Sequence, residues 1–235
     1  MKTAVIVAAG LSSRLYPLTE TSPKCLLPLG EEKIIERNIR LLKKAGIENI
    51  FVVTGYLKHM IEETVGEQVK TIFNPYYKFC NNMGSLYFAK NDVNNEPFLY
   101  LHGDIAFSEK LLKQFIENID LNNLMDIAVD FKETDEEAMK VEVNENHFLV
   151  RSSKEIPVDK SAGEWIGLAA IHHPKKVFNK IEKVLVEEHY NVYDTYAFTQ
   201  LVSEGEHIKC LPTNEEPWIE IDFIEDYEKA KELFK

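Results

Sequence analysis

Short apolar runs alternate with amphipathic stretches through the first half of the chain. The runs at 4–8 and 49–54 are almost wholly apolar and end at small or polar residues, which is typical of strands buried on both faces. Between them, residues 33–45 repeat apolar side chains at helical spacing. The alternation predicts strands at 4–8, 49–54, 69–73, 97–102 and 126–131, and helices at 33–45, 57–65, 83–90 and 108–119. It predicts an α/β fold with a three-layer, Rossmann-like, mostly parallel sheet.

The pattern changes after residue 135. Residues 140–143 and 148–151 alternate around a polar turn, which predicts an antiparallel hairpin. The remaining pattern predicts strands at 165–171, 208–211 and 218–221, and helices at 175–186, 193–202 and 224–234. We expect one domain over 1–235, with 135–170 as a small subdomain over the carboxyl ends of the strands, where ligands bind in open α/β folds.

Composition narrows the classes of function. The net charge of −12 disfavours binding to a nucleic-acid backbone, but a local cluster of cations can still attract a small anion. The three cysteines form no Cys-x-x-Cys pair, which indicates a reducing cytoplasm, and no apolar run reaches membrane-spanning length. The sequence leaves the oligomeric state open, with a homodimer as one option.

A loop of small residues follows the first strand directly. We call it the signature loop: Ala8, Ala9, Gly10, Leu11, Ser12, Ser13 and Arg14. Its backbone N–H groups can approach phosphates closely. Arg14 and Lys24 can offset the charge that builds up when an α-phosphorus is attacked. An ordinary strand-to-helix turn does not require these two cations, so the stretch predicts a nucleoside triphosphate site.

The stretch resembles the signature of the nucleotidyltransferases that activate sugar phosphates and small alcohol phosphates. That signature reads Ala-Ala-Gly-x-Gly-(Ser/Thr)-Arg, followed by Pro and Thr and then by Pro-Lys. Here Ser12 replaces the second glycine, and Pro23-Lys24 closes the pattern. The resemblance implies that the loop binds the nucleotide and that Arg14 and Lys24 are catalytic. The motif is neither a Walker loop nor a dinucleotide fingerprint.

Two aspartates follow predicted strands. Asp104 comes after 97–102 and Asp222 after 218–221, and separated carboxylates suit Mg²⁺ that also binds substrate phosphates. Either could instead be an ordinary loop acid, or, for Asp222, a helix cap. The resemblance implies that both hold Mg²⁺. The seven histidines lack metal-ligand spacing, so we expect them at the surface or in packing.

Amide side chains are concentrated in 74–86, where they could contact a nucleobase or form a polar surface loop. The Asn-Asn-x-x-Ser-Leu segment is similar to a loop of bacterial phosphocholine cytidylyltransferases, which implies CTP. The resemblance implies further nucleotide contacts outside the signature loop at Gly55, Asn82, Ser85 and Gly103.

Acids and aromatics in the second half could form a pocket for an ammonium group. The candidates are Asp130, Glu164, Trp165, Tyr193, Asp194 and Tyr196, with Lys154 for a phosphoryl group. Core packing is the alternative for each aromatic. The Glu-Trp-Ile-Gly and Glu-Ile-Asp-Phe segments resemble those of cytidylyltransferases acting on phosphocholine, 2-aminoethylphosphonate and phosphorylated amino-acid amides.

The predicted reaction joins CTP to a small amine-bearing phosphate or phosphonate and releases pyrophosphate. One alternative is a hexose-1-phosphate enzyme using UTP or dTTP. Another is a non-catalytic nucleotide-sensing module. The intact set of Arg14, Lys24, Asp104 and Asp222 favours an enzyme, because a sensor does not need the metal-binding acids.

Overall fold

The computed structural model describes residues 1–235 and contains thirteen strands and seven α-helices. The strands are β1 Thr3–Ala8, β2 Pro28–Leu29, β3 Glu32–Lys33, β4 Asn49–Thr54, β5 Lys70–Phe73, β6 Phe98–His102, β7 Ile105–Phe107, β8 Met125–Asp130, β9 Lys140–Val143, β10 Leu149–Ser152, β11 Gly163–Ile171, β12 Ile208–Pro212 and β13 Trp218–Glu220. The helices are α1 Ile34–Lys44, α2 Lys58–Val65, α3 Asn82–Tyr87, α4 Glu109–Asn118, α5 Pro174–Val186, α6 Asp194–Ser203 and α7 Ile224–Leu233.

A nine-stranded mixed sheet forms the centre of the fold. Its continuous order is β10-β9-β11-β6-β1-β4-β5, and β8 pairs with both β11 and β12. Strand β1 pairs in parallel with β4 and β6, and β4 pairs in parallel with β5. The α/β fold predicted from the alternation is confirmed. The predicted hairpin is also present, since β9 and β10 pair antiparallel.

Alternate side chains of the buried strands enter two separate cores. On one face, Val5 and Val7 pack with residues of α5 and α6. On the other face, Ala4 and Ile6 pack with residues of α1, α2 and α4. A strand buried on both faces has no polar side, which explains the continuous apolar runs in the sequence. The helices on both faces produce the three-layer arrangement.

Strand β11 extends beyond the parallel strands. Its second half pairs antiparallel with β6, with Leu168 opposite Leu101. Its first half continues beyond the carboxyl end of β6, where Gly163 and Glu164 pair with β9. The hairpin therefore joins the main sheet on the side where the parallel strands end. No helix in the protein is both long enough and apolar enough to cross a bilayer.

Candidate active site

A cleft of about 250 Å³ lies at the carboxyl ends of β1 and β6. The signature loop forms one wall, with Gly10, Ser12, Ser13 and Arg14 at its surface. Ser12 has a left-handed backbone with φ of 52°. This is the position that the family signature gives to glycine, and a left-handed residue other than glycine costs about 1–2 kcal/mol. The hydroxyl of Thr19 donates to the Ser12 carbonyl at 2.7 Å and holds the turn.

The short sheet of β7 and β13 brings the middle of the chain next to its carboxyl-terminal part. Glu220 lies opposite Ile105, and the N–H of Ile221 donates to the carbonyl of Asp104 at 3.1 Å. Ile221 packs inward, while Glu220 and Asp222, two residues apart, line the cleft. Asp104 and Asp222 are therefore neighbours, as the sequence predicts. Asp222 is not the cap of α7, because the Asp226 side chain accepts the N–H groups there.

Lys24 joins the two aspartates. Its Nζ is 2.8 Å from Oδ2 of Asp104 and 2.9 Å from Oδ1 of Asp222. Arg14 reaches the other oxygen of Asp222 at 2.8 Å. Burial alone would lower the pKa of Lys24, but the neighbouring carboxylates outweigh it and raise the pKa well above its usual value. Burial likewise favours the neutral acid at Asp104, yet Lys24 and His102 hold its pKa below the usual range.

His102 lies on the floor of the cleft and was expected in packing or at the surface. Its Nε2 is 2.9 Å from Oδ2 of Asp194, and its ring is edge-on to Trp165 at 4.8 Å between centroids. Burial disfavours the imidazolium, but the Asp194 carboxylate raises the pKa of His102 to about 9. One ring nitrogen of His102 lies within 4.8 Å of a carboxylate oxygen of Asp104 and of a carboxylate oxygen of Glu220.

Glu220 is a further cleft residue that sequence reasoning missed. Burial, together with the charges of Asp104 and Asp222, raises the pKa of its carboxyl to about 7. Its carboxylate makes no ion pair, whereas those of Asp104 and Asp222 are both bound to cations. One oxygen of Asp104, Oδ1, is buried without a hydrogen-bond partner. The cleft therefore retains unpaired oxygen ligands beside the signature loop.

The acceptor-side candidates divide into two groups. Lys154, Trp165, Tyr193 and Asp194 line the cleft. The Asp194 side chain has no exposed surface, and its carboxylate is hydrogen-bonded to His102 and Tyr100. The structure does not bring the other three candidates, Asp130, Glu164 and Tyr196, into the cleft.

Each of those three has other surroundings. Asp130 accepts from Nε1 of Trp218 at 2.7 Å and pairs with Lys132 at 2.6 Å. Tyr196 packs against His189. Glu164 sits beside β9, where burial raises the pKa of its carboxyl to about 7.

The nucleotide-side candidates also divide. Asn82 lines the cleft at the start of α3, and Ala8 and Gly103 line a narrow space that adjoins Lys24. Ser85 instead accepts from Nδ2 of Asn74 at 3.0 Å and does not line the cleft. Gly55 supports the loop from behind, since a Cβ there would lie 2.5 Å from the carbonyl of Ala9. Ala9 and Leu11 are loop residues whose side chains do not line the cleft.

The sequence also matches a known protein family. The profile of the MobA-like NTP transferase domain matches residues 4–190, which include the signature loop and most of the sheet. The chain belongs to this family.

Two curated relatives of this nucleotidyltransferase match over nearly their full length. This chain is 30% identical over 244 positions to the choline-phosphate cytidylyltransferase of Streptococcus pneumoniae. The alignment covers 99% of this chain and 98% of that protein. The chain is 25% identical over 250 positions to the CTP:phosphoglutamine cytidylyltransferase of Campylobacter jejuni, covering 96% and 97%.

Solved structures share the fold of the nucleotidyltransferase. The CTP:phosphocholine cytidylyltransferase of Streptococcus pneumoniae superposes with a TM-score of 0.82 at 24% identity, covering all of both chains. The inositol-1-phosphate CTP transferase of T. maritima superposes with a TM-score of 0.84 at 23% identity, covering 100% of this chain and 96% of the other. At these identities the likeness concerns the fold alone.

Proposed function

We propose that the protein is a Mg²⁺-dependent cytidylyltransferase that joins CTP to a small amine-bearing phosphate or phosphonate. Phosphocholine, 2-aminoethylphosphonate and a phosphorylated amino-acid amide are the candidate acceptors, and the products are a CDP- or CMP-linked compound and pyrophosphate. The observation that carries the proposal is the meeting of Arg14 and Lys24 with Asp104 and Asp222 beside the signature loop. The names of the two curated relatives support CTP and a phosphorylated, nitrogen-bearing acceptor.

Mg²⁺ fits the residues present. Asp104, Glu220 and Asp222 offer hard carboxylate oxygens, and the buried Oδ1 of Asp104 has no hydrogen-bond partner. In this proposal Asp104 and Asp222 would hold the ion. When bound, Mg²⁺ would neutralise charge on the phosphates.

The chain's own residues need only position the reactants and offset charge. The acceptor's phosphoryl oxygen is already ionised, so no protein nucleophile is required to attack the α-phosphorus. The signature loop offers N–H groups to the phosphates, and Arg14 and Lys24 stabilise the charge on the transition state and on the leaving pyrophosphate. Holding the two phosphates in line supplies the remaining acceleration.

An amine-bearing acceptor suits the wall of the cleft that Trp165 and Tyr193 line. Glu220, which lies near Asp104 and His102, adds a carboxyl group that makes no ion pair. Lys154, with Nζ 5.7 Å from the Tyr193 ring centre, could bind the acceptor's phosphoryl group. Asp194 supports this wall through His102 and does not contact the acceptor directly, because its side chain is fully buried.

The experiment is a panel of reactions monitored by pyrophosphate release. Each of CTP, UTP, dTTP, ATP and GTP is paired with phosphocholine, 2-aminoethylphosphonate or glucose 1-phosphate in the presence of Mg²⁺. We expect the highest kcat/KM for CTP with an amine-bearing acceptor. Preferred turnover of glucose 1-phosphate with UTP or dTTP would identify the hexose-1-phosphate alternative. Nucleotide binding without pyrophosphate release from any pair would identify a nucleotide sensor.

A further inference from the structure

The ammonium of Lys24 lies between the two carboxylates proposed to hold the metal. Its Nζ is 2.8 Å from Asp104 and 2.9 Å from Asp222, and only 9% of its side chain is exposed. The three residues come from distant parts of the chain. Their contact therefore depends on how the fold brings together the turn after β6, the residues after β13 and the helical turn at Lys24–Leu26, and not on local sequence.

The remaining carboxylate oxygens are not equivalent. The second oxygen of Asp222 is bound by Arg14, whose guanidinium also lies 5.1 Å from the centre of the Phe223 ring. The second oxygen of Asp104 is buried without a partner. A metal ion held by Asp222 would therefore compete with the contacts that Lys24 and Arg14 make there.

We propose that Lys24 acts as an internal counter-ion at the metal position, so that the cleft takes up the divalent cation together with the triphosphate and binds the cation alone only weakly. The inference rests on the proposed function and specifies the form of its substrate, the metal–nucleotide complex. Mg²⁺ binds carboxylate oxygen at about 2.0–2.1 Å, which leaves no room for an ammonium in the same place.

The triphosphate resolves this competition. A lysine that leaves two carboxylates without a new anionic partner becomes a buried, unpaired charge, which is strongly unfavourable. Lys24 lines the same cleft as the signature loop. Phosphates of a nucleotide held by that loop would therefore be close enough to give Lys24 a new anionic partner. The nucleotide therefore frees the carboxylates at the moment the metal arrives.

The test is binding of Mn²⁺ in the absence of nucleotide, counted by the loss of its free-ion EPR signal. Lys24→Met removes the ammonium and keeps much of the side-chain volume. We expect it to bind Mn²⁺ at least about tenfold more tightly than the parent, which corresponds to about 1.4 kcal/mol. The matched control is Lys154→Met, which removes one positive charge from the same cleft but no contact with Asp104 or Asp222. It should change Mn²⁺ affinity much less.

Equal Mn²⁺ affinity in the parent and Lys24→Met, or an equal increase in both lysine variants, would overturn the proposal. If circular dichroism shows that Lys24→Met does not fold, the proposal is tested on the parent protein instead. Equilibrium dialysis then compares Mn²⁺ retained with and without CTP, and equal retention is the contrary result. Failure of the proposed function is a separate outcome: inorganic tripolyphosphate would promote Mn²⁺ retention while CTP yields no pyrophosphate with any acceptor.

Discussion

The carboxylate of Asp194 and the imidazole of His102 form a closed pair on the floor of the cleft, with 2.9 Å between Oδ2 and Nε2. Tyr100 donates its hydroxyl to the same oxygen at 2.6 Å, and Thr195 donates its N–H to the other at 2.9 Å. No part of the Asp194 side chain is exposed. Asp194 therefore positions His102, which in turn contacts Trp165 and Asn82.

The first prediction concerns this pair. We expect Asp194→Asn to lower the free energy of unfolding by about 1–3 kcal/mol, because it removes the carboxylate that accepts from buried His102 and favours its protonated form. Tyr100→Phe removes one hydrogen bond and should cost about 1–3 kcal/mol. Urea denaturation measures both. Full stability in Asp194→Asn, combined with a raised KM for the acceptor alone, would mean that Asp194 contacts the acceptor directly.

The second prediction concerns Gly167, which makes room for His102. Its φ is +82°, and a Cβ there would lie 2.8 Å from Cγ and Nδ1 of the imidazole. Gly167→Ala should lower the free energy of unfolding by about 2 kcal/mol or more, since the backbone strain alone costs about 1–2 kcal/mol. It should also lower kcat/KM by displacing His102.

Gly205→Ala is the matched control for Gly167→Ala. Gly205 has a φ of +93°, but nothing lies within 4 Å of its Cβ position. This variant therefore carries the backbone strain without the collision. Equal losses of stability and unchanged kcat/KM in both variants would show that the imidazole position does not matter.

The third prediction is a pH dependence at Glu164, away from the cleft. Because burial raises the pKa of its carboxyl to about 7, the folded protein holds this proton more tightly than the unfolded chain does. Ionisation of Glu164 therefore reduces stability as pH rises from the unfolded value towards 7. When pH is raised from about 4 to about 8, we expect the free energy of unfolding of Glu164→Gln to increase by about 1–3 kcal/mol relative to that of the parent.

Glu133→Gln is the control for that measurement, since Glu133 is an exposed glutamate in the neighbouring loop. The change in its stability between the two pH values is subtracted from the change measured for Glu164→Gln. Urea denaturation at each pH gives the comparison. A constant difference for Glu164→Gln would mean that its carboxyl is solvated in the folded protein.

The fourth prediction separates two roles for Glu220. If its unpaired carboxylate receives the acceptor's ammonium, Glu220→Gln should raise KM for phosphocholine or 2-aminoethylphosphonate by about tenfold or more, because the coulombic attraction to the cationic nitrogen is lost. KM for CTP should change much less. If both KM values stay unchanged and only the Mg²⁺ concentration needed for half-maximal rate increases, Glu220 contributes to metal binding instead.

Local patterns were enough to predict most of the fold. Buried parallel strands leave continuous apolar runs, and helices show their apolar spacing, so β4, α4 and the hairpin of β9 and β10 were all found within a residue or two. Asp104 and Asp222 were found because acids at strand ends face the crevice of an α/β sheet.

The residues that sequence reasoning missed depend on relations between distant segments. His102 reaches the cleft because Gly167, in the irregular part of β11, leaves space over its ring. Glu220 reaches it through the register between β7 and β13. Alternation along β13 could have indicated Glu220, since it lies two residues from Asp222 and so shares its face. No local signal reveals that Asp130 turns to Trp218 or Ser85 to Asn74.

The most direct test of the account follows the α-phosphorus of CTP. The parent protein is incubated with Mg²⁺, an amine-bearing acceptor labelled with ¹⁸O on its phosphoryl group, and CTP labelled with ³²P at the α position. Our account predicts that all the ³²P enters a cytidine-containing product, that this product retains the ¹⁸O, and that the released pyrophosphate contains neither label. Label in pyrophosphate, or CMP formed without incorporation of the acceptor, would contradict it.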